Sequence, residues 1–185
     1  MVDNARTIIA DTIGADSSCI YFTSGGSEGD NWAIKGVAEA YKSKGKHIIT
    51  SAIEHKAVLN TCKWLEQQGY DITYITPDDR GIISVSMVEK EIRPDTILVS
   101  IMFANNEIGT INPIRYIGEL CRKRGIIFHT DAVQAYGHVR INVNDLGVDL
   151  LTASSHKFHG PTGVGFLYVN KKVMLPPLIH GGHQE

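Results

Sequence analysis

Asp131 and Lys157 are the two residues whose types and positions most invite chemistry. Each stands just past a short apolar run. Gly125-Ile126-Ile127-Phe128 leads through His129 and Thr130 to Asp131, with Gln134 three residues on. The run from Asp149 to Ala153 leads to Ser154, Ser155, His156 and Lys157. Short apolar, β-rich runs predict buried strands. In a parallel α/β sheet, ligands bind in the crevice outside the carboxyl ends of the strands. An acid and an amine meeting in one crevice suit a ligand with a ring nitrogen to charge and an aldehyde to capture. Pyridoxal phosphate has both, an Asp facing its pyridinium and a Lys forming a Schiff base with its aldehyde.

Other polar groups follow other predicted strands. The stretch Ser24-Gly25-Gly26-Ser27 lies between a strand and a helical pattern. Small residues there let the backbone approach an anion, and the following helix turns free N–H groups and its positive end toward it. Gly26 and Ser27 are therefore candidates to hold a phosphate, with Ser154 and His156 adding donors from the neighbouring strand end. A plain tight turn with a helix cap is the alternative. The letters match neither the dinucleotide Gly-x-Gly-x-x-Gly nor the Walker pattern. Lys157 must lose its proton to react, and desolvation favours that. The ring of Phe158 is positioned in sequence to supply it, and Gly160-Pro161 marks a turn restricting the loop. Asp131 on a central strand needs a cation or several donors, or else it caps a short helix. His55 has the acid–base range to move protons and a flat ring to stack on a cofactor, although a His before a helix is commonly structural. Asn106, past another strand, can donate to a ring hydroxyl or simply shape a turn.

The elements that must position these groups alternate along the chain. Helical spacing covers Val2 to Ile13, stopped by Gly14. The strand Cys19 to Phe22 precedes the small-residue turn, and a helical pattern runs from Trp32 to Tyr41. Lys46 to Thr50 is strand-like, Lys56 to Gln68 helical, and Asp71 to Ile75 strand-like. Pro77 to Gly81 is a turn, and Ser86 to Ile92 a short helix capped by Ser86. The strand-like run Thr96 to Phe103 is followed by a helix from Pro113 to Arg124, closed by Gly125. Strands at Ile126, at Val148 to Ala153 and at Gly163 to Val169 complete the order. Such alternation implies crossover units and a mainly parallel sheet. No repeat or long linker divides residues 1–185, which predicts one domain.

The bulk numbers narrow the class. Lys plus Arg number 18 and Asp plus Glu 20, a formal charge of −2, so nothing calls for nucleic acid or an anionic membrane. No apolar run reaches the ~20 residues that cross a bilayer. The first residues have no basic-then-apolar pattern of a signal peptide. Three separated cysteines, Cys19, Cys62 and Cys121, argue against a disulfide framework or zinc site and for a reducing, cytoplasmic setting.

Five segments together resemble the cysteine desulfurases, aminotransferase class V enzymes of the fold-type I pyridoxal-phosphate superfamily. They are Phe22 to Asn31, Glu54-His55-Lys56-Ala57-Val58, Asn105-Asn106-Glu107-Ile108-Gly109, Asp131-Ala132-Val133-Gln134 and Ser155-His156-Lys157. The resemblance covers nearly the whole chain in order. It implies a three-layer αβα sandwich with a mainly parallel sheet, the large domain of that superfamily. It makes Lys157 the Schiff-base lysine and Asp131 the partner of the pyridine nitrogen. Gln134 and Asn106 lie near the ring hydroxyl, and His55 stacks on the ring and assists proton transfer. Gly26, Ser27, Ser154 and His156 hold the phosphate. The implied reaction takes sulfur from L-cysteine, leaving alanine and an enzyme persulfide for a sulfur-acceptor protein, as in iron–sulfur cluster assembly.

The same resemblance sets further expectations. The family's opening motif and its second domain are absent, and with them the sulfur-accepting cysteine, a substrate-binding arginine and a phosphate contact across a dimer. Cys62 and Cys121, on apolar helix faces, are no replacement. Thr162 stands where the family usually has Lys. A fold that is kept, little or no desulfurase turnover, and self-association through exposed apolar surface are therefore expected. A selenocysteine lyase, another class V aminotransferase and a non-catalytic binding module remain the alternatives.

Overall fold

A computed structural model describes residues 1–182; the end of the terminal stretch His180 to Glu185 lies outside the described residues. Seven strands form one sheet: β1 (Ile20–Thr23), β2 (His47–Ser51), β3 (Asp71–Ile75), β4 (Thr96–Ser100), β5 (Ile127–Asp131), β6 (Leu150–Ser154) and β7 (Gly165–Val169). Their order across the sheet is β1-β7-β6-β5-β4-β2-β3. Neighbours from β6 through β3 pair in parallel, and β7 runs antiparallel to both β6 and β1. The central strands β2, β4 and β6 are buried throughout, which fits their near-continuous apolar and β-branched letters.

Helices cover both faces, so the expected three-layer αβα architecture is the one observed. On one face lie α2 (Gly26–Tyr41) and α3 (Lys56–Gln67), packed on each other. Their core includes Ala33, Ile34, Val37, Val58, Cys62 and Leu65 against Ile48, Leu98, Leu150 and Leu167. On the other lie α1 (Val2–Ile13), α4 (Val85–Glu91), α5 (Ile114–Arg124) and the short α6 (Val143–Leu146). That core gathers Ile13, Ile83, Val99, Ile101, Ile117, Phe128 and Phe166. Fully burying one such side chain is worth about 1.5–3 kcal/mol, and two such cores clamp the sheet rigidly between them.

Several element ends differ from the pattern-based expectation. The stretch from Gly26 is not a turn before a helix but the first two turns of α2, because close packing on β6 overrides the poor helix propensity of its glycines: a Cβ on Gly29 would stand 2.7 Å from the Thr152 side chain. α4 is capped by Ser84, whose Oγ accepts from the Met87 N–H, rather than by Ser86. β4 ends at Ser100. Ile101 to Phe103 continue beside β5 through separate bonds: Ile101 N–H to the His129 carbonyl, Phe103 N–H to the Asp131 carbonyl, and Thr130 Oγ1 donating to the Ile101 carbonyl. Gly125 closes α5 in the left-handed conformation, φ 66°, as expected of a C-terminal glycine.

Candidate active site

The strand order makes the site before any side chain is considered. The connection after β2 leaves toward β3, while that after β4 leaves the other way, toward β5. Between such strands a crevice opens at their carboxyl ends. A cleft of about 190 Å³ lies there, and all nine residues singled out from the sequence line it: Gly26, Ser27, His55, Asn106, Asp131, Gln134, Ser154, His156 and Lys157. Asp30, Met102 and Val133 complete the lining. Lys157 and Asp131 thus face one space.

α2 contributes its N-terminus. Gly25 precedes it at φ 152°, a conformation that favours glycine, and no side chain caps the helix there. A Cβ on Gly26 would stand 2.7 Å from Val133 Cγ2, so the backbone passes close to the β5 loop only because that position is bare. Opposite, Ser154 Oγ pairs with His156 Nδ1 at 2.9 Å. The resulting cradle combines an open helix N-terminus with a bonded Ser–His pair that leaves a donor free, a set that fits a phosphate.

Asp131 ends β5, where its Oδ1 accepts the Val133 N–H at 2.9 Å. It is buried, and burial raises its pKa above the usual carboxylate value. Asp131 thus caps a turn after β5, where the sequence allowed a short helix, and no cation pairs with it among the described residues. A protonated ring nitrogen would meet that need.

His55 is the N-cap of α3, and its Nδ1 accepts the Ala57 N–H at 3.1 Å. In the neutral ring this leaves the proton on Nε2. The two adjacent asparagines divide their work. Asn105 is buried and shapes the loop: its Oδ1 accepts from Glu107 and Ile108, and its Nδ2 donates to the Ile53 carbonyl. Asn106 is exposed and lines the cleft.

Lys157 lies in a short 3-10 turn, Ser155–Phe158, that starts where β6 stops. Its carbonyl is paired with His138 Nε2 at 3.0 Å, and the Ser155 carbonyl accepts the Gly160 N–H. The Phe158 ring does not cover the amine. It packs edge-on against Tyr136, centroids 4.8 Å apart, and Lys157 is exposed. The expected desolvation by that ring is absent, because the aromatic cluster of Tyr136 and Phe166 draws it inward.

Two acids were not legible as site residues. Asp30 is buried at the foot of the cleft, spaced three and four residues before Ala33 and Ile34 on the inner face of α2; that helical spacing was the available signal. Glu54 joins the two strands at the crevice: its Oε1 accepts from Ser51 Oγ and from the Met102 N–H, and burial pushes its pKa up to about 8. The three cysteines are buried, and none lines the cleft. Among the described residues no cluster suited to a metal ion is present, and no helix is long and apolar enough to cross a membrane.

The model of the aminotransferase class-V family matches residues 1–185. The cysteine desulfurase IscS of Methanosarcina thermophila is 59% identical over 184 residues, covering 100% of this chain and 46% of the relative. That of Haemophilus influenzae strain PittGG is 56% identical, with 100% and 46% covered. Among solved structures, one described as SspA in complex with cysteine superposes with a TM-score of 0.96 at 50% identity, covering 99% of this chain and 53% of that one. A NifS-like protein gives 0.94 at 44% identity, with 98% and 50% covered. The chain spans about half the length of the curated relatives it matches.

Proposed function

The chain belongs to aminotransferase class V, a family of pyridoxal-phosphate enzymes, and on that premise we propose that its cleft binds pyridoxal phosphate and serves a cysteine desulfurase acting on L-cysteine. The single observation that carries this reading is the convergence of nine polar or glycine positions, from five separate segments, on one cleft.

When bound, pyridoxal phosphate supplies an aldehyde to capture an amine and a ring that withdraws electrons from it. The chain's residues supply the rest. Lys157 presents the amine that anchors the aldehyde. Asp131 holds negative charge for the ring nitrogen. Gly26, Ser27, Ser154 and His156 hold the phosphate, and Asn106 and Gln134 flank the ring hydroxyl. His55, held by its Nδ1 bond, stacks on the ring and moves a proton at Nε2. A thiol that accepts sulfur must come from outside the described residues, since Cys19, Cys62 and Cys121 are buried and burial raises each thiol's pKa.

The same thiols fit a reducing, cytoplasmic setting. Exposed Ile108 and Ile111, beside Asn106 in the loop after β4, fit association with a second copy, and the sulfur goes on to an acceptor protein.

The test is a titration of the chain with pyridoxal phosphate, followed by absorbance. A saturable band at the visible edge supports the reading, and L-cysteine should perturb it. No saturable change at any concentration overturns it and leaves a binding module on the same scaffold.

A further inference from the structure

Two buried carboxyl groups, Asp30 and Asp131, line the cleft and a third, Glu54, is buried next to His55 in the chain; the proposed function uses only Asp131. Glu54 is tied to Ser51 and Met102 through Oε1. Asp30 is left over. It is 1% exposed on the second turn of α2, and neither of its oxygens meets a donor in hydrogen-bonding geometry. His129 Nε2 stands 3.6 Å from Asp30 Oδ1. That ring is held on both sides, Nδ1 by Ser100 Oγ at 2.9 Å and Nε2 by Thr152 Oγ1 at 3.1 Å. His129 and Asp131 lie two residues apart on β5 and so point to the same side of the sheet, toward α2.

We propose that Asp30 and Asp131 form a carboxylate pair carrying a single negative charge, with Asp30 keeping its proton beside the neutral His129 ring so that the charge falls on Asp131. Asp30 is then a positioning residue. No bond is made or broken; one proton stays on one oxygen. The purpose of the pair rests on the reading of Asp131 as partner of a ring nitrogen, whereas the pairing belongs to the chain alone.

Two carboxylates in one dry site cannot both ionise cheaply, and their protons come off in coupled steps. The surroundings decide which one keeps the charge. Asp131 has the Val133 N–H and, across the cleft, His55, both favouring its charged form. Asp30 has a pull from Thr152, outweighed by deep burial and by repulsion from Asp131. Burial pushes His129 down to about 3, so the ring is neutral at physiological pH and offers Asp30 no cation. Glu54, held near 8, is mostly uncharged there too. The remaining titratable groups on the cleft, His156 and Lys157, lie on the turn after β6.

The test uses the full chain with aspartate carboxyls labelled with carbon-13, titrated by NMR without cofactor. Asp131→Asn should lower the titration of Asp30 by at least about one pH unit, the threshold for a coupled pair, because the neighbouring charge is gone. Asp30→Asn should leave Asp131 titrating where it does in the wild type, because the group removed is already neutral when Asp131 ionises, and this reads the order of the two protons even if the other variant fails to fold. In a Glu54→Gln background, an infrared carboxylic-acid band present at pH 7 should vanish on Asp30→Asn. With pyridoxal phosphate added, the acid limb of its affinity should follow Asp131 and stay in place in Asp30→Asn. An unmoved Asp30 titration in Asp131→Asn, an Asp131 titration that falls in Asp30→Asn, or an acid band that survives Asp30→Asn overturns the pair. A chain that binds no pyridoxal phosphate overturns the proposed function, while the titration still decides the pair.

Discussion

The two ends of the same parallel strands are built from similar residues and treat them in opposite ways. At the amino end, His47 opens β2 and is fully enclosed, with Nδ1 on Thr96 Oγ1 at 2.7 Å and Nε2 on Thr73 Oγ1 at 2.9 Å. Beside it Arg93 pairs with Asp71 and with Asp95 in solvent, and Asp149 accepts the Phe128 N–H. Polar groups there find one another. At the carboxyl end, both oxygens of Asp30 and Oε2 of Glu54 have no hydrogen-bond partner, and Asp131 has one backbone donor. Buried polar groups are normally paired, because leaving one bare costs about 1–3 kcal/mol. An end of the sheet that leaves several bare is organised for something other than its own stability.

The sharpest way to break the contrast is at Asp131. Asp131→Asn should weaken pyridoxal phosphate binding about 100-fold, the loss of one charge-assisted bond of roughly 2.7 kcal/mol, while fluorescence-monitored urea unfolding shows no loss of stability. An unchanged affinity would place the ring nitrogen elsewhere. At the opposite end, His47→Ala should do the reverse. It strands two threonine hydroxyls and should cost about 1–3 kcal/mol in the same unfolding measurement, with affinity for the cofactor kept.

Glu54 and the asparagines give smaller, finer comparisons. Glu54 is raised from 4.5 to about 8 by burial, so between those values the folded chain holds a proton that the unfolded chain has lost. Its contribution to stability is therefore complete below about 4.5 and falls as pH rises toward 8. Glu54→Gln should flatten that fall in unfolding experiments across this window; an identical pH profile would place the burden on another group. Asn105→Ala should destabilise by about 1–2 kcal/mol through its lost loop bonds, whereas Asn106→Ala should leave stability alone and weaken cofactor binding by roughly tenfold or less.

Much of this organisation was readable from the letters, and the gaps have physical causes. α3 and β3 lie where periodicity puts them, because Val58, Cys62 and Leu65, and then Ile72 with Ile75, carry unambiguous spacing. Asp131 and Lys157 were legible because each follows an apolar run and so falls at a strand end. The start of α2 was hidden by glycines whose purpose is close packing against Val133 and Thr152, a tertiary reason invisible to propensity. α6 has only four residues, too few to show a period. Asp30 and Glu54 were passed over because an acid is ordinarily a surface residue. The packing of Phe158 away from Lys157 depended on Tyr136, which arrives from a different segment.

The most direct measurement reduces the chain with borohydride after it has met pyridoxal phosphate, then maps the modified peptide by mass spectrometry. The account predicts one cofactor per chain, fixed on the peptide containing Lys157 and lost in Lys157→Ala. Label scattered over the exposed lysines, or label that survives that substitution, would contradict it.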